Sequence, residues 1–125
     1  MPQFRFSQSA DRDMENIQKW TVQQFGEKMW LRYKELLTRS FLDLIADPRR
    51  RGTELLSGLG NNTFLYHIRH SRNRIKRGIK KPRHFLLYRR TSDETLEIIR
   101  VLHDSMDLLL HFPFDDQSEI WEEDE

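Results

Sequence analysis

The chain has 125 residues, with 21 Lys or Arg against 20 Asp or Glu and no Cys. That length predicts one domain with a single modest core. Without Cys there are no disulfides or thiolate metal sites, and the chain contains no H-x-x-x-H or H-E-x-x-H pair, so neither a metal nor a cofactor is expected. No apolar run approaches the roughly 20 residues that span a bilayer, and the N-terminus lacks an apolar signal region. The sequence therefore predicts a cytoplasmic protein with no membrane contact.

Charge is segregated along the chain although the total is almost neutral. The basic segment, Ile68–His84, holds eight Lys or Arg and no acid, whereas Asp115–Glu125 holds seven acids and no Lys or Arg. A run of one sign raises the local potential and speeds the capture of an oppositely charged partner. The acidic end, residues 114–125, is predicted to be a flexible, solvated tail. Folding back on the basic segment is the alternative, but exposed ion pairs of that kind are weak.

The first elements are a short strand and a helix. Gln3–Phe6 is the strand candidate. Apolar residues at helical spacing predict a helix over Ala10–Phe25, capped by the hydroxyl of Ser7 or Ser9. Gly26 then supplies the left-handed conformation that ends many helices.

A second apolar stripe predicts a helix over residues 27–46, which ends before Pro48. The next stretch, to residue 62, is predicted to be a loop with one helical turn near Glu54–Ser57. Neither helix can bury its stripe alone, so the two are expected to form an antiparallel hairpin on a sheet.

The period then changes to two, which predicts three strands: Thr63–His70, His84–Arg90 and Thr95–His103. The last strand carries bulky apolar groups on both faces, so it is either central and covered or has a face that awaits a partner. The predicted fold class is α+β, in the order β-α-α-β-β-β. The helical hairpin packs on one face of a mostly antiparallel four-stranded sheet.

Five stretches of the sequence, in order, resemble one known family. They are FRFSQSADRDMENIQKWTVQQFGEKMWLRYKELL, LIADPRRRG, YHIRHSRNR, KKPRHFLLYRR and IIRVLHDSMDLLLHFP, the first combining a strand with a helix and hinge. Together they are similar to the RelE/ParE superfamily of bacterial type II toxin–antitoxin toxins, closest to the ParE branch. The resemblance covers about Phe4–Pro113, which places a single toxin domain in residues 1–113.

This resemblance implies a small cytoplasmic toxin of a plasmid-stabilisation type. A cognate ParD-like or similar antitoxin would wrap it in a hetero-oligomer and block it. ParE-like toxins act on DNA gyrase without catalysis of their own, whereas RelE-like toxins cleave mRNA on the ribosome. Because one fold hosts both activities, the target is argued from residues. An inactive member that only binds its antitoxin is the third alternative.

Cutting RNA would need a base, cations and an acid near the 2′-oxygen. The ending VLHDSMDL resembles ParE and lacks the closing His or Tyr pattern of ribosomal nucleases, so no catalytic residue is assigned. Arg100, between two apolar residues, is costly to bury unpaired. It either faces a groove or pairs with an acid such as Asp104 or Glu97, and structural pairing is favoured over catalysis. His103 is expected to be satisfied by backbone or Asp104. If the chain were a nuclease, the candidates would be Arg69, Tyr88, Arg100 and His103.

The basic segment is longer than the two to five residues of an ordinary hairpin loop and is expected to dock an acidic partner, either the antitoxin or the gyrase–DNA complex. The alternative is a solvated loop. The apolar helix faces are predicted to be core, although Trp20 or Trp30 could instead anchor a partner helix in a groove. The antitoxin is expected to cover that groove or the second face of the last strand. The candidate partner-binding residues are Arg69, Arg72, Arg74, Lys76, Arg77, Lys80, Lys81, Arg83, Trp20 and Trp30.

Overall fold

A computed structural model describes residues 3–56, 63–75, 78–91 and 94–105. The predicted α+β fold, a strand followed by two helices and then further strands in one sheet, is confirmed. The elements are β1 (Gln3–Phe6), α1 (Gln8–Phe25), α2 (Glu27–Ala46), β2 (Thr53–Leu55), β3 (Thr63–His67), a 3₁₀ helix (Ile68–Arg74), β4 (His84–Arg90) and β5 (Thr95–His103).

The sheet has five strands in the order β1-β5-β4-β3-β2, so the prediction of four strands was wrong by one. β1 runs parallel to β5, and the other neighbours are antiparallel. The additional strand, Thr53–Leu55, lies where a loop with a helical turn was predicted, and it pairs with Phe64–Tyr66 at the sheet edge. An edge strand of three residues needs only backbone pairing on one side, so it leaves no alternating pattern in the sequence.

The basic segment begins with a 3₁₀ helix instead of the end of a strand. β3 stops at His67, whose Nδ1 accepts the backbone N–H of Arg69 at 3.0 Å and so caps the first turn. Ile68 and Ser71 are buried on its inner side. The longer strand predicted over Thr63–His70 was therefore wrong in its last three residues.

Both helix boundaries have identifiable causes. Ser7 is the cap of α1, since its Oγ accepts the backbone N–H of Ala10 at 3.0 Å. The same hydroxyl donates to the carbonyl of Ile99 at 2.6 Å, which ties the helix start to β5. Gly26 separates the helices with a φ of 88°, a value that favours glycine.

The main core lies between the two helices and one face of the sheet. A register shift between Leu87 and Tyr88 locally changes which β5 side chains face the helices. No helix in the described ranges is long and apolar enough to cross a membrane. The predicted acidic tail, residues 114–125, lies outside the described residues, as do Lys76 and Arg77.

Candidate functional site

The end of α1, the start of α2 and the basic segment surround one groove, called here the hairpin-end groove. Its cavity has a volume of about 410 Å³. Apolar side chains from the helices and Ile79 form its walls, and cationic side chains stand around them. The lining residues are Trp20, Thr21, Phe25, Met29, Arg32, Tyr33, Gly78, Ile79, Lys80, Lys81, Arg83, His84 and His103.

A buried hydrogen-bond chain forms the polar floor of the groove. The backbone N–H of Arg83 donates to the Tyr33 hydroxyl oxygen at 3.0 Å. The Tyr33 hydroxyl oxygen also lies 2.6 Å from Nδ1 of His84, and the two share a hydrogen bond whose direction depends on the tautomer of the imidazole.

Burial makes this floor electrically neutral. It lowers the pKa of His84 to about 4, with a smaller contribution from nearby His103. Burial likewise raises the pKa of Tyr33 to about 12, which the hydrogen bond from Arg83 only partly offsets. At neutral pH both groups are uncharged, so neither is poised to exchange a proton with a ligand.

Asp104 joins the basic segment to the ends of β3 and β5. Its Oδ1 accepts Arg83 Nε at 2.9 Å, and its Oδ2 accepts His67 Nε2 at 3.0 Å. Burial acts to raise the pKa of Asp104, but the hydrogen bonds from His67 and Arg83 outweigh it and hold the pKa below its usual value. These bonds position Arg83 at the rim of the groove.

A second cavity, of about 500 Å³, adjoins the hairpin-end groove and shares Trp20, His84 and His103 with it. Arg100 lines it and forms a two-pronged bond with Asp13 of α1, through Nε at 2.8 Å and Nη2 at 3.1 Å. Structural pairing of Arg100 was expected, but the predicted partners were wrong. Asp13 lies 87 positions away in the chain, so only the packing of α1 on β5 brings it there.

Asp43, a buried carboxylate of α2, organises the first half of the basic segment. Ser71 Oγ donates to Oδ2 at 2.6 Å, and Arg74 Nε lies 2.9 Å from Oδ1. Arg50 Nη1 lies 2.7 Å from Oδ2 of the same carboxylate, and Arg39 Nε lies 3.2 Å from Oδ1. We call Asp43, Arg39, Arg50, Ser71 and Arg74 the Asp43 cluster.

The candidate cations therefore differ in what they already contact. Arg74 belongs to the Asp43 cluster, Arg72 donates to the carbonyl of Lys80 at 3.0 Å, and Arg83 is bonded to Asp104. Lys80 and Lys81 are exposed and line the hairpin-end groove. Arg69 is exposed on the 3₁₀ helix and does not line the groove.

The four nuclease candidates are not assembled into one site. Tyr88 is fully buried, its hydroxyl donates to the carbonyl of Pro48 at 2.7 Å, and burial raises its pKa. His103 and Arg100 line the second cavity, but Arg100 is bonded to Asp13, and Nδ1 of His103 accepts the backbone N–H of Ser105 at 3.1 Å.

The two tryptophans differ in exposure. Trp30 is 5% exposed and lies in the main core, so it offers no surface to a partner helix. Trp20, predicted as core, is 53% exposed and packs edge-to-face on Phe25 at the groove. Trp20 lies on the outer side of the apolar stripe of α1. Helical spacing alone could not show that a groove forms there.

Comparison with known proteins identifies the family. Residues 4–108 match a model of the ParE toxin of the type II toxin–antitoxin system parDE. The chain belongs to the ParE toxin family. It is thus a ParE-type toxin of a toxin–antitoxin system, as the resemblance of its sequence to the ParE branch predicted.

A solved structure shares the fold of this ParE toxin. It is described as the chromosomal ParDE TA system from P. aeruginosa, and the match has a TM-score of 0.62 at 11% identity. The match covers 82% of this chain and 96% of the other. A comparison with curated proteins gave no match.

Two features of the site were not found from the sequence. One is the Asp43 cluster, and the other is the Tyr33–His84 floor of the groove. Tyr33 and Asp43 both lie in α2. From the helical pattern alone, the Tyr is predicted to be a core residue and the Asp to be a polar residue that interrupts the apolar stripe. Arg39 and Arg50 are near Asp43 in the chain, but Ser71 is 28 positions from Asp43 and His84 is 51 from Tyr33, so tertiary contacts complete these features.

Proposed function

We propose that this ParE toxin acts by binding DNA gyrase in the cytoplasm, stalling it without catalysis of its own, and that a cognate antitoxin neutralises it. The observation that carries the proposal is the family match over residues 4–108. The antitoxin partner follows from the same match, because a type II toxin is defined by the protein that blocks it.

The bonding of the nuclease candidates supports binding over RNA cleavage. In-line attack by a 2′-oxygen needs a base and an acid with matched pKa values, held within hydrogen-bond reach of one substrate. Tyr88 is bonded to backbone inside the core, and the guanidinium of Arg100 is engaged by Asp13. A nuclease would have to break those bonds to use either group.

The hairpin-end groove is the proposed docking site for the antitoxin. An amphipathic partner helix anchors an apolar side chain in such a groove and places acids against its cationic rim. Exposed Trp20 supplies the aromatic anchor, and exposed Lys80 and Lys81 supply the charge. The neutral Tyr33–His84 floor adds no repulsion to an acidic partner.

The decisive experiment is a supercoiling assay with purified toxin and purified gyrase. The proposal predicts that supercoiling falls as toxin is added and that cleaved DNA accumulates on the enzyme. Pre-mixing with the antitoxin encoded beside the toxin gene is expected to abolish both effects. Full supercoiling and no cleaved DNA at excess toxin would exclude gyrase as the target.

Ribosome-dependent cleavage is tested in parallel by a toeprint on programmed ribosomes. The proposal predicts intact mRNA in the A site at toxin concentrations that inhibit gyrase. Cleaved A-site mRNA with unaffected gyrase would replace the proposed function with the RelE-like one. Normal growth on expression without antitoxin, with both assays negative, would identify an inactive member that only binds its antitoxin.

A further inference from the structure

Arg83 is fixed at three points on the rim of the hairpin-end groove. Its backbone N–H donates to the Tyr33 hydroxyl at 3.0 Å, and its carbonyl accepts the backbone N–H of Asp104 at 2.8 Å. Its side chain is held as well, because Nε donates to Oδ1 of Asp104 at 2.9 Å. Both the main chain and the guanidinium of Arg83 are therefore positioned before any partner arrives.

Asp104, the residue that holds the guanidinium, is itself held by the buried ring of His67. Burial lowers the pKa of His67, which keeps the imidazole neutral at neutral pH. The backbone N–H of Arg69 donates to Nδ1 of that ring, so the proton lies on Nε2, which donates to Oδ2 of Asp104 at 3.0 Å. Burial raises the pKa of Asp104 less than the bonds from His67 and Arg83 lower it, so the carboxylate stays ionised.

The outer end of the Arg83 guanidinium is available to a ligand. The side chain is 50% exposed, and Asp104 bonds only its Nε. Within the described ranges, no group bonds Nη1 or Nη2 of Arg83. These two amines form a planar fork whose parallel N–H bonds match the two oxygens of a carboxylate or a phosphate. Because Nε is already anchored, binding immobilises less of the side chain than it would for an unanchored arginine.

The surrounding charge favours an anion at this fork. The other cations that line the groove are Arg32, Lys80 and Lys81, and no acid is among its described lining residues. Asp104 offsets one positive charge, so an excess remains. The two lysines are exposed ammonium groups on flexible stems, which attract an anion without fixing its direction. Among the described groove cations, Arg83 is the one whose side chain a bond holds in place.

The apolar walls distinguish a peptide carboxylate from a nucleic-acid phosphate. The cavity of about 410 Å³ lies between walls that include Trp20, Phe25, Met29 and Ile79. A large apolar side chain of a peptide fills such a cavity and removes its walls from water. The bases of a single strand stack on flat aromatic faces, but the rings of Trp20 and Phe25 pack edge-to-face at 71° and offer no parallel platform. The groove therefore fits an acidic peptide segment better than a nucleic acid.

We propose that Arg83 is the specificity-determining residue of the hairpin-end groove, and that its fork binds one Asp or Glu carboxylate of the antitoxin. Asp104 is the positioning residue of Arg83. This assignment rests on the proposed docking of the antitoxin in the groove, and it adds which charged contact determines the lifetime of the complex. The docked segment is expected to carry an acid beside a large apolar residue. Lys80 and Lys81 speed the encounter, whereas Arg83 slows dissociation.

The first test exchanges the fork for a point charge. Stopped-flow kinetics measures association and dissociation of the full-length toxin and the full-length antitoxin encoded beside its gene. Arg83→Lys keeps the charge but loses the bidentate geometry, so the dissociation rate constant is expected to rise about tenfold while the association rate constant changes little. Arg32→Lys is the matched control, because Arg32 also lines the groove but no bond within the described residues holds its guanidinium. Equal dissociation rate constants for the two variants would overturn the proposal.

The second test asks whether Asp104 acts through Arg83. Asp104→Asn removes the charge that holds Nε, and it is expected to speed dissociation several-fold in the parent toxin. In the Arg83→Lys background the same substitution is expected to add little. A residue that only stabilised the fold would have its full effect in both backgrounds. Additive effects on the dissociation rate constant would therefore contradict the positioning role.

The third test finds the acid on the partner by changing each Asp and Glu of the antitoxin to its amide. One of these variants is expected to leave the parent toxin about tenfold faster, but to leave Arg83→Lys no faster than the unchanged antitoxin does. If no acid is coupled to Arg83 in this way, the assignment of Arg83 is wrong although the antitoxin still docks.

Two further outcomes separate the alternatives. Binding of a labelled DNA oligonucleotide that Arg83→Lys abolishes, with antitoxin kinetics unchanged, would assign the fork to a phosphate and overturn the proposal. Failure of the antitoxin to bind the parent toxin would refute the proposed function itself and this assignment with it.

Discussion

The two halves of the basic segment use the same residue types for different purposes. In the first half, Ser71 and Arg74 bond to the buried carboxylate of Asp43, which fixes both side chains against α2. In the second half, Lys80 and Lys81 stand exposed on a groove with apolar walls. The first half is a structural anchor, and the second half is the part able to meet a partner.

This difference shows why a count of charges does not measure a docking surface. A guanidinium already bonded to a buried carboxylate is held by that bond, although the three guanidiniums of the Asp43 cluster outnumber its one carboxylate and leave the cluster net positive. An exposed ammonium beside an apolar wall keeps its field and adds contact area. Of the cations predicted to bind a partner, those facing the groove should therefore control docking, and those of the Asp43 cluster should control stability.

The largest expected effect is on stability, from Asp43→Ala. The change leaves Arg50 half-buried without its counter-charge and takes away the acceptor of Ser71. Breaking such a buried pair costs about 3–5 kcal/mol in free energy of unfolding. Urea denaturation measures this, with Asp47→Ala, an exposed carboxylate one residue past α2, as the control. Equal loss in both variants would show that the Asp43 cluster is not an anchor.

Protonation of His84 is expected to lower the free energy of unfolding as the pH falls below neutral. Its pKa is about 4 in the folded chain against 6.5 unfolded, so the unfolded chain takes up the proton first as pH falls. The contribution is fully present above pH 6.5 and is lost as pH falls from there through the folded pKa, by on the order of 3 kcal/mol. Denaturation curves between pH 7 and roughly pH 4 measure it.

The matched variant for the pH series is His84→Asn, which keeps a hydrogen-bonding side chain beside the Tyr33 hydroxyl but cannot titrate. Its unfolding free energy should change less over the same range. Some acid sensitivity will remain, because burial also lowers the pKa of His67. Identical slopes for the parent and the variant would contradict a neutral floor in the groove.

Trp20→Ala is expected to weaken antitoxin binding by about 2 kcal/mol, roughly 30-fold in Kd. The reason is the loss of one of the two large aromatic side chains, Trp20 and Phe25, that are both exposed and part of the groove wall. Leu31→Ala is the control, because Leu31 is a similarly exposed apolar residue of α2 that does not line the groove. Titration calorimetry with the antitoxin measures the binding free energy of both variants. An equal loss of binding free energy in Leu31→Ala would refute the assignment of Trp20 as the anchor.

The smallest effect is expected from reversing Lys80 and Lys81 to Glu. Long-range steering changes the association rate more than the lifetime of the complex, so the rate constant should fall about tenfold at low salt. The loss should shrink as salt rises, because these side chains are exposed and screened. Stopped-flow kinetics measures the association rate constant and its salt dependence. The charge-matched control is Arg12→Glu with Lys34→Glu, which reverses two exposed helix cations outside the groove. Equal slowing by the control pair would mean that only net charge matters.

The sequence by itself determined the helices, the main strands and the family. Helical spacing and Gly26 placed α2 correctly at Glu27–Ala46, and period-two patterns placed His84–Arg90 and Thr95–His103 to the residue. These signals are local: they depend on which residues recur within one turn or one strand. The edge strand Thr53–Leu55 was not predicted, because its stability comes from backbone pairing with β3 and needs no side-chain pattern.

Only the tertiary structure decided which polar residues meet. Asp13 bonds Arg100 from 87 positions away and Tyr33 bonds His84 from 51, whereas the sequence suggested nearby acids for the first and only core packing for the second. Burial strengthens these pairings and makes each one specific, but a buried pair leaves no periodic trace in the chain. The same packing divided the basic segment into an anchored half and a groove-facing half, a division that its run of like charges does not reveal.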